Sequence, residues 1–158
     1  PMPVSGIVLL LGGDQGDPVE QLALAEAAIG ARVGAVVARS RDHWTAAWGF
    51  TSDALFLNRA LLVRTELEPI QVMEACLAIE RSMGRVRSES QGMASRPIDI
   101  DILTVGDQVL LSEALSVPHP RLHLRRFALA PLCDIFPLWR HPILDRTALE
   151  LLNALPPQ

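Results

Sequence analysis

The amino-acid sequence predicts an α+β fold with a ferredoxin-like βαββαβ core, in which helices pack on a mostly antiparallel sheet. Two observations support this prediction. Four apolar or alternating segments are typical of strands, and segments with helical spacing follow the first and the third of them. An extra hairpin strand and C-terminal helices come after the core, and 158 residues fit a single domain over 1–158.

The first half of the core is predicted as strand, helix, strand. Val4–Leu11 is a continuous apolar run, typical of a buried strand. The Asp-Pro-Val-Glu sequence at 17–20 has the spacing of a helix start, with an Asp cap, a proline at the first helical position and a glutamate closing a capping box. We expect this helix to end at Gly30, and Ala35–Trp44 to form the second strand.

The second half repeats the order. Leu55–Thr65 is predicted as the third strand, and a second helix begins at Glu66–Pro69. We expect that helix to stop at Gly84 with a left-handed cap. Arg85–Pro97 has no periodicity and is predicted as a long loop, and long loops in compact domains are commonly functional. Ile98–Val105 is predicted as the fourth strand.

The remaining elements lie outside the core. Gly106-Asp107 is typical of a hairpin turn and leads into Gln108–Leu111. Arg126–Ile135 is predicted as a short helix that Pro131 breaks. Thr147–Glu150 has the spacing of another capping box, which opens a C-terminal helix.

Composition excludes several classes of function. A net charge of −4 argues against a general binder of nucleic acid or of anionic membranes. The longest clean apolar run, Ile7–Leu11, is far too short to span a membrane. Cys76 and Cys133 lack a C-x-x-C spacing, so we expect reduced cysteines and a cytoplasmic protein.

All 14 basic residues are arginine. The lack of lysine excludes a Walker-type phosphate loop and a Schiff-base mechanism. Any phosphate bound here must therefore be held by arginine, whose planar donors match phosphate oxygens in pairs. Codon bias alone could also explain the absence of lysine, although not the positions of the arginines.

Two aspartates share one face of the fourth strand. Asp99 and Asp101 alternate with isoleucines, so both carboxylates point the same way. A solvated strand face is the simpler interpretation. The alternative is a site for a divalent cation, because carboxylates that lie this close repel each other unless water, arginine or a metal ion lies between them.

The surroundings of this pair favour a phosphate-handling site. One arginine cluster precedes the pair, at 85, 87 and 96, and a second follows it, at 121, 125 and 126. His119 lies between two prolines. The arginines could merely form surface ion pairs with the acids. Carboxylates for magnesium together with arginines for phosphate are, however, what nucleotide phosphoryl transfer requires.

Two phenylalanines could bind a flat ring. Phe56 shares a strand face with Asn58, and Phe127 follows the second arginine cluster. Both rings could simply belong to the core, which is the commoner place for phenylalanine. Alternatively they form the two sides of a slot for a heterocycle, with Asn58 supplying directional hydrogen bonds.

Together these motifs resemble the 6-hydroxymethyl-7,8-dihydropterin pyrophosphokinases of folate biosynthesis. The matching segments are F-L-N at 56–58, E-R-S-M-G-R-V-R at 80–87, R-P-I-D-I-D-I-L at 96–103, V-P-H-P at 117–120 and R-R-F at 125–127. The resemblance implies transfer of pyrophosphate from ATP to a pterin alcohol, with two Mg²⁺ ions as cofactor. It also implies a cytoplasmic protein, which we expect to be a monomer that binds neither nucleic acid nor membrane.

The resemblance assigns the site residues in three groups. It assigns catalysis to Arg85, Arg96, Asp99 and Asp101, and the two aspartates also hold the metal. It assigns the pterin to Thr45, Ala46, Trp48, Phe56, Asn58 and Phe127. It assigns ATP to Glu80, Arg87, Ile102, His119 and Arg125.

Two departures from the family pattern and two rival classes accompany this expectation. The chain has Gly12-Gly13-Asp14 where the family has G-S-N, so we assign no site role to this first loop. Met93 stands where the catalytic loop of the family usually has tryptophan. A non-catalytic module that binds nucleotides or metabolites is the main alternative. A structural interaction domain is a third possibility, but it leaves the arginine-rich loop unexplained.

Overall fold

The computed structural model describes residues 6–46, 55–91 and 98–157, and for residues 46 and 85–91 it describes the backbone only. Within these ranges, five strands form one antiparallel sheet: β1 (Gly6–Gly13), β2 (Ala35–Arg39), β3 (His43–Ala46), β4 (Leu55–Arg64) and β5 (Asp99–Val105). The strand order is β2-β4-β1-β5, and β3 pairs with β4 beyond the end of β2. The predicted α+β, ferredoxin-like fold class is confirmed.

The second predicted strand is in fact two strands. The chain leaves the regular ladder at residues 40–42, so the prediction of one strand over Ala35–Trp44 is wrong. The Ser40 N–H donates to the Ala60 carbonyl (2.9 Å), but the Ala60 N–H donates to the Ser40 hydroxyl (2.9 Å) instead of to a backbone carbonyl. The chain then rejoins β4 and brings Thr45 opposite Phe56.

The first helix, α1 (Pro18–Arg32), begins with the predicted Asp17 cap and Pro18. The Asp17 carboxylate accepts a hydrogen bond from the N–H three residues later, at 3.3 Å. The helix continues past Gly30, where we expected its end. A Cβ at Gly34 would lie 2.1 Å from the Arg64 carbonyl oxygen, so the glycine that the chain needs after this helix is Gly34.

The second helix, α2 (Pro69–Gln91), continues through Gly84, so the predicted left-handed cap there is wrong. Glycine in a helix interior costs only about 1 kcal/mol relative to alanine, which tertiary packing easily outweighs. Arg85 and Arg87 therefore lie on the last two turns of a helix and not on a loop. Residues 92–97 of the predicted loop lie outside the described residues.

The hairpin after β5 also differs from the prediction. Gly106, with a φ of 55°, makes the predicted turn with Asp107. The following strand, β6 (Leu110–Leu111), then pairs with β7 (Ser116–Val117) and not with β5. The result is a separate two-stranded ribbon beside the main sheet.

The C-terminal part contains two helices. The first, α3 (Arg126–Ile135), is continuous through Pro131, so the predicted break does not occur. Proline removes one helical hydrogen bond, but its fixed φ is compatible with a helix, and Pro131 is buried. The second, α4 (Ala148–Asn153), has the predicted capping box: the Thr147 hydroxyl accepts from the Glu150 N–H (3.1 Å), and the Glu150 carboxylate accepts from the Thr147 N–H (2.8 Å).

Helices cover both faces of the sheet. On one face, Ile7, Leu9 and Leu11 of β1 pack in a core with α1 and α2. On the other, Val8 and Leu10 pack in a second core with α3 and α4. The strict alternation along β1 follows from the pleat, and it divides the molecule into three layers.

Candidate active site

The register of the sheet brings three of the predicted site residues, Asn58, Asp99 and Asp101, onto neighbouring positions. Gly12 on β1 pairs with Asn58 on β4 and with Asp99 on β5, so these residues form one row across three strands. Leu10, two residues earlier, pairs with Asp101. Because directly opposed residues of antiparallel strands share a face, Asn58 and both aspartates lie on the α3 side of the sheet.

Gly12 lies at the centre of this row, and its lack of a side chain shapes the site. A Cβ there would lie 2.6 Å from Phe56 Cε1 and 3.0 Å from Asn58 Oδ1. The ring and the amide therefore occupy the space above the glycine. No site role was expected for Gly12, and it lies on β1 and not in the predicted loop, because pairing with β4 and β5 extends the strand to this end.

Asn58 presents an unsatisfied donor. The residue is 2% exposed, and among the described residues its Nδ2 has no hydrogen-bond partner. A buried amide donor without a partner costs about 1–3 kcal/mol, so such a group calls for an explanation. A ligand that accepts this hydrogen bond would provide one.

Aromatic side chains stand on the same face as Asn58. Phe56 is half-buried on β4, directly opposite Thr45 on β3. Phe127, on the first turn of α3, packs against the core of this face, and the Arg125 guanidinium lies over its ring at 5.4 Å from the centroid. We call Thr45, Phe56, Asn58 and Phe127 the aromatic patch.

A cleft of about 550 Å³ lies beside the acidic pair, between α2, β5 and the β6–β7 ribbon. We call it the α2–β5 cleft. The predicted site residues that line it are Glu80, Asp99, Asp101, Ile102 and His119. Its apolar wall comes from Met73, Cys76 and Leu77 of α2. The volume suits a nucleotide-sized ligand.

Glu80 holds the edge of β5 within this cleft. Its side chain is buried, and Oε2 accepts a hydrogen bond from the Ile100 N–H at 2.6 Å. Ile100 lies between the two aspartates, so the contact fixes the backbone that carries both carboxylates. Sequence resemblance assigned Glu80 to ATP, and the structure adds this backbone contact.

His119 is held as a neutral imidazole. Burial is the main cause that lowers its pKa from the ordinary 6.5, and Arg125 and Arg121 act in the same direction, whereas Asp101 opposes them. Nδ1 accepts a hydrogen bond from the Arg121 N–H (3.2 Å), which leaves the Nε2 proton to donate. His119 therefore offers the cleft a neutral hydrogen-bond donor.

The acidic pair fits magnesium. Asp99 is exposed and Asp101 is half-buried, and both line the cleft. In the described part of the chain no three acidic, histidine or cysteine side chains form a metal cluster. Magnesium is commonly bound by one or two carboxylates together with waters and substrate phosphates, so two aspartates suffice.

Several predicted site residues are not placed. Trp48 and Arg96 lie outside the described residues, and the side chains of Ala46, Arg85 and Arg87 are not described. The backbones of Arg85 and Arg87 extend α2, which also carries Glu80. Their assigned roles stay predictions.

A second cleft, of about 600 Å³, lies at the opposite edge of the sheet, between α1 and β2. It is lined by none of the predicted site residues. Its arginines, Arg39, Arg41 and Arg59, are each paired with a carboxylate. We therefore take the α2–β5 cleft as the candidate active site, although it is the smaller of these two clefts.

No helix within the described ranges combines the length and the apolar character needed to cross a membrane.

Comparison with known proteins identifies the family. The family model for 7,8-dihydro-6-hydroxymethylpterin-pyrophosphokinase (HPPK) matches residues 8–137. The 2-amino-4-hydroxy-6-hydroxymethyldihydropteridine pyrophosphokinase of Porphyromonas gingivalis is 40% identical over 139 residues, which are 86% of this chain and 93% of the relative. The enzyme of the same name from Methylorubrum extorquens is 42% identical over 128 residues, 80% of each chain.

Solved structures agree on the fold. Plasmodium falciparum HPPK-DHPS has a TM-score of 0.76 and 17% sequence identity, and the match covers 94% of this chain. An HPPK-DHPS in complex with substrates has a TM-score of 0.74 and 13% identity, and the match covers 97% of this chain. The chain spans under half of those chains, 44% and 43%. The family match over residues 8–137 and the identity to full-length relatives lead to one conclusion: the chain belongs to the 7,8-dihydro-6-hydroxymethylpterin-pyrophosphokinase family.

Proposed function

We propose that this protein transfers pyrophosphate from ATP to 6-hydroxymethyl-7,8-dihydropterin, giving AMP and the pterin diphosphate in folate biosynthesis. Membership of the family supports the activity, and the sheet register supports the site. The observation that carries the proposal is the single row in which Asn58 and Asp99 flank Gly12. This row joins a buried, unsatisfied amide to the acidic pair beside the α2–β5 cleft.

The pterin binds at the aromatic patch in this proposal. Phe56 and Phe127 hold the flat ring by stacking, and the Asn58 amide gains the partner that it lacks among the described residues. A ring without a matching acceptor leaves this donor unpaired, which gives strong discrimination. Thr45, Ala46 and Trp48 complete the pterin site as the family pattern implies.

ATP occupies the α2–β5 cleft. Ile102 and His119 line it, and His119 donates from Nε2. Arg87 and Arg125 bind the phosphates in this proposal, because guanidinium donors match phosphate oxygens. Glu80 contributes by fixing the backbone between the two aspartates.

Asp99 and Asp101 hold two Mg²⁺ ions. When bound, the ions neutralise the triphosphate and stabilise the charge that develops during transfer. The pterin hydroxymethyl oxygen attacks the β-phosphorus, and AMP leaves. In this proposal Arg85 and Arg96 add positive charge to the transferring group, and Asp101 accepts the hydroxyl proton.

The proposal includes the state of the protein. We propose a single-domain monomer that works in the cytoplasm on small molecules and binds neither nucleic acid nor membrane. The two cysteines, Cys76 and Cys133, are both free, which fits a reducing compartment.

Product analysis tests the function. Protein, MgATP and 6-hydroxymethyl-7,8-dihydropterin are incubated, and the nucleotides are separated by chromatography. We expect AMP and pterin diphosphate without ADP. Asp101→Asn should lower the rate about 10²–10³-fold, the effect typical of losing one transition-state charge contact. The control, Asp107→Asn in the exposed turn, should keep it. Binding of both substrates without AMP would favour the non-catalytic module instead.

A further inference from the structure

Asp134 on α3 joins that helix to the break between β2 and β3. Its carboxylate accepts hydrogen bonds from the Arg41 backbone N–H (3.1 Å), from the Arg41 guanidinium (3.3 and 3.0 Å) and from His43 Nε2 (2.8 Å). One side chain thus anchors two alternate residues of a segment that lies 91–93 residues away in sequence.

Electrostatics supports a stable anchor. Desolvation alone would raise the pKa of the Asp134 carboxyl, but the hydrogen bonds from Arg41 and His43 hold it below its ordinary 3.8. The carboxylate is therefore charged at neutral pH, and hydrogen bonds to a charged acceptor are the stronger kind.

Asp42, which lies between Arg41 and His43, is held on the opposite face of the sheet. Asp42 accepts hydrogen bonds from the Arg59 guanidinium of β4 at 2.7 and 3.2 Å, and Arg59 also contacts Glu26 of α1 at 3.5 Å. Arg41 and His43 are thus held from the α3 side and Asp42 from the α1 side. Such contacts fix the direction in which β3 leaves the break.

The anchored strand reaches the aromatic patch within two residues. His43 pairs with Asn58, and Thr45 pairs with Phe56. The helix that carries Asp134 also carries Phe127 on its first turn, two helical turns away. The contact between Asp134 and His43 therefore joins the strand wall of the patch to its helix wall.

We propose that Asp134 is a positioning residue that sets the spacing between β3 and α3 at the pterin-binding patch. The inference rests on the proposed function, because it names a determinant of the same pterin site. Asp134 touches neither substrate in this proposal. It acts through His43 and Arg41, so its loss should weaken pterin binding and leave the α2–β5 cleft intact.

Two dissociation constants test the proposal. The first is that of 6-hydroxymethylpterin, measured by fluorescence in the presence of saturating Mg²⁺ and a non-hydrolysable ATP analogue. The second is that of the analogue alone, measured by calorimetry. Asp134→Ala and His43→Ala should each weaken the affinity for the pterin about tenfold. Small displacements of binding groups cost about one to two orders of magnitude in such interactions. Analogue affinity should stay within about twofold.

Matched variants sharpen the result. Asp145→Asn alters another arginine–aspartate pair, with Arg140, and should change neither constant. His43→Gln retains a donor for Asp134 and should restore most of the pterin affinity that His43→Ala loses. The double variant Asp134→Ala/His43→Ala should bind the pterin no worse than Asp134→Ala alone, since Asp134→Ala already removes the contact with His43.

The outcomes separate the two proposals. Unchanged pterin affinity in folded Asp134→Ala, or an equal loss for both ligands, overturns the positioning role and leaves the proposed function in place. If Asp134→Ala does not fold, His43→Ala and His43→Gln decide the question in the same way. A wild-type protein that binds no pterin overturns the proposed function and this inference with it.

Discussion

At the scale of single residues, the proposed pterin contact of Asn58 conflicts with stability. Its buried Nδ2 lacks a partner among the described residues, which costs free energy until a ligand accepts the hydrogen bond. Leucine has the same number and branching of side-chain heavy atoms and no polar group. We therefore expect Asn58→Leu to be as stable as the wild type or up to about 1–3 kcal/mol more stable, while losing pterin affinity. Urea unfolding and pterin titration measure the two effects, and a less stable variant would contradict this account.

Gly12 and Gly30 make a matched pair of glycines. A Cβ at Gly12 would meet the Phe56 ring at 2.6 Å, whereas a Cβ at Gly30 would meet nothing within 4 Å. Gly12→Ala should lower stability by about 1–3 kcal/mol through overpacking. It should also weaken the affinity for the pterin, because the Phe56 ring must move. Gly30→Ala should raise stability by about 0.5–1 kcal/mol. Thermal unfolding compares them, and a harmless Gly12→Ala would show that the ring has room to move.

Sequence reasoning reached the acidic pair but not the glycine that it flanks. Strand alternation alone places Asp99 and Asp101 on one face, because that relation is local. The role of Gly12 depends on its pairing with Asn58, 46 residues later, and no local pattern gives the register of two strands. The Gly-Gly sequence after an apolar strand was the available signal, and it indicates only a close approach by some neighbour.

At the scale of secondary-structure elements, α2 supports β5 through Glu80. Glutamine at this position keeps an acceptor for the Ile100 N–H, and alanine does not. Glu80→Ala should lower the free energy of unfolding by about 1–3 kcal/mol, because the buried Ile100 N–H becomes unsatisfied. The rate of AMP formation should fall as well. Glu80→Gln should keep most of the stability and most of the AMP formation. The control is Glu74→Ala, on the exposed face of α2. Equal damage from both Glu80 variants, measured by urea unfolding and AMP release, would assign the effect to charge instead.

The elements differ in how much of them sequence could predict. The starts of α1 and α4 were predictable, because each cap is a contact between residues three apart. The division of Ala35–Trp44 was not, since no glycine or proline marks it. The break is held by Asp134 and by Ser40 with Ala60, which are long-range contacts. Gly84 misled the prediction because a glycine favours a helix end only where φ is positive.

At the scale of the whole molecule, buried His141 and half-buried His119 make stability depend on pH. Burial lowers the pKa of His141 and of His119 from the ordinary 6.5, so the folded state favours the neutral imidazoles. Below about pH 6.5 the unfolded chain binds protons that the folded chain does not, so stability is present above that pH and falls as the pH falls. His141 Nδ1 accepts from the N–H groups of Ile143 (3.2 Å) and Leu144 (3.1 Å), and protonation removes both bonds.

His141→Asn tests this dependence. The asparagine carbonyl can accept a hydrogen bond but does not titrate in this range. We expect the wild-type Tm to fall between pH 7 and pH 5, by about 2–4 °C for each kcal/mol lost. The variant should show a smaller fall, with the remainder due to His119. Identical slopes in both proteins would show that His141 is not responsible.

Within the described part of the chain, β5 is the last strand of the sheet, so one of its long edges has no neighbouring strand. Such edges invite pairing with a second molecule and thus aggregation. Here the Glu80 carboxylate accepts a hydrogen bond from the Ile100 N–H, and the His119 N–H donates one to the Leu103 carbonyl at 2.9 Å. The groups that shape the α2–β5 cleft therefore also cap part of this edge, and we expect damage to them to lower solubility as well as turnover.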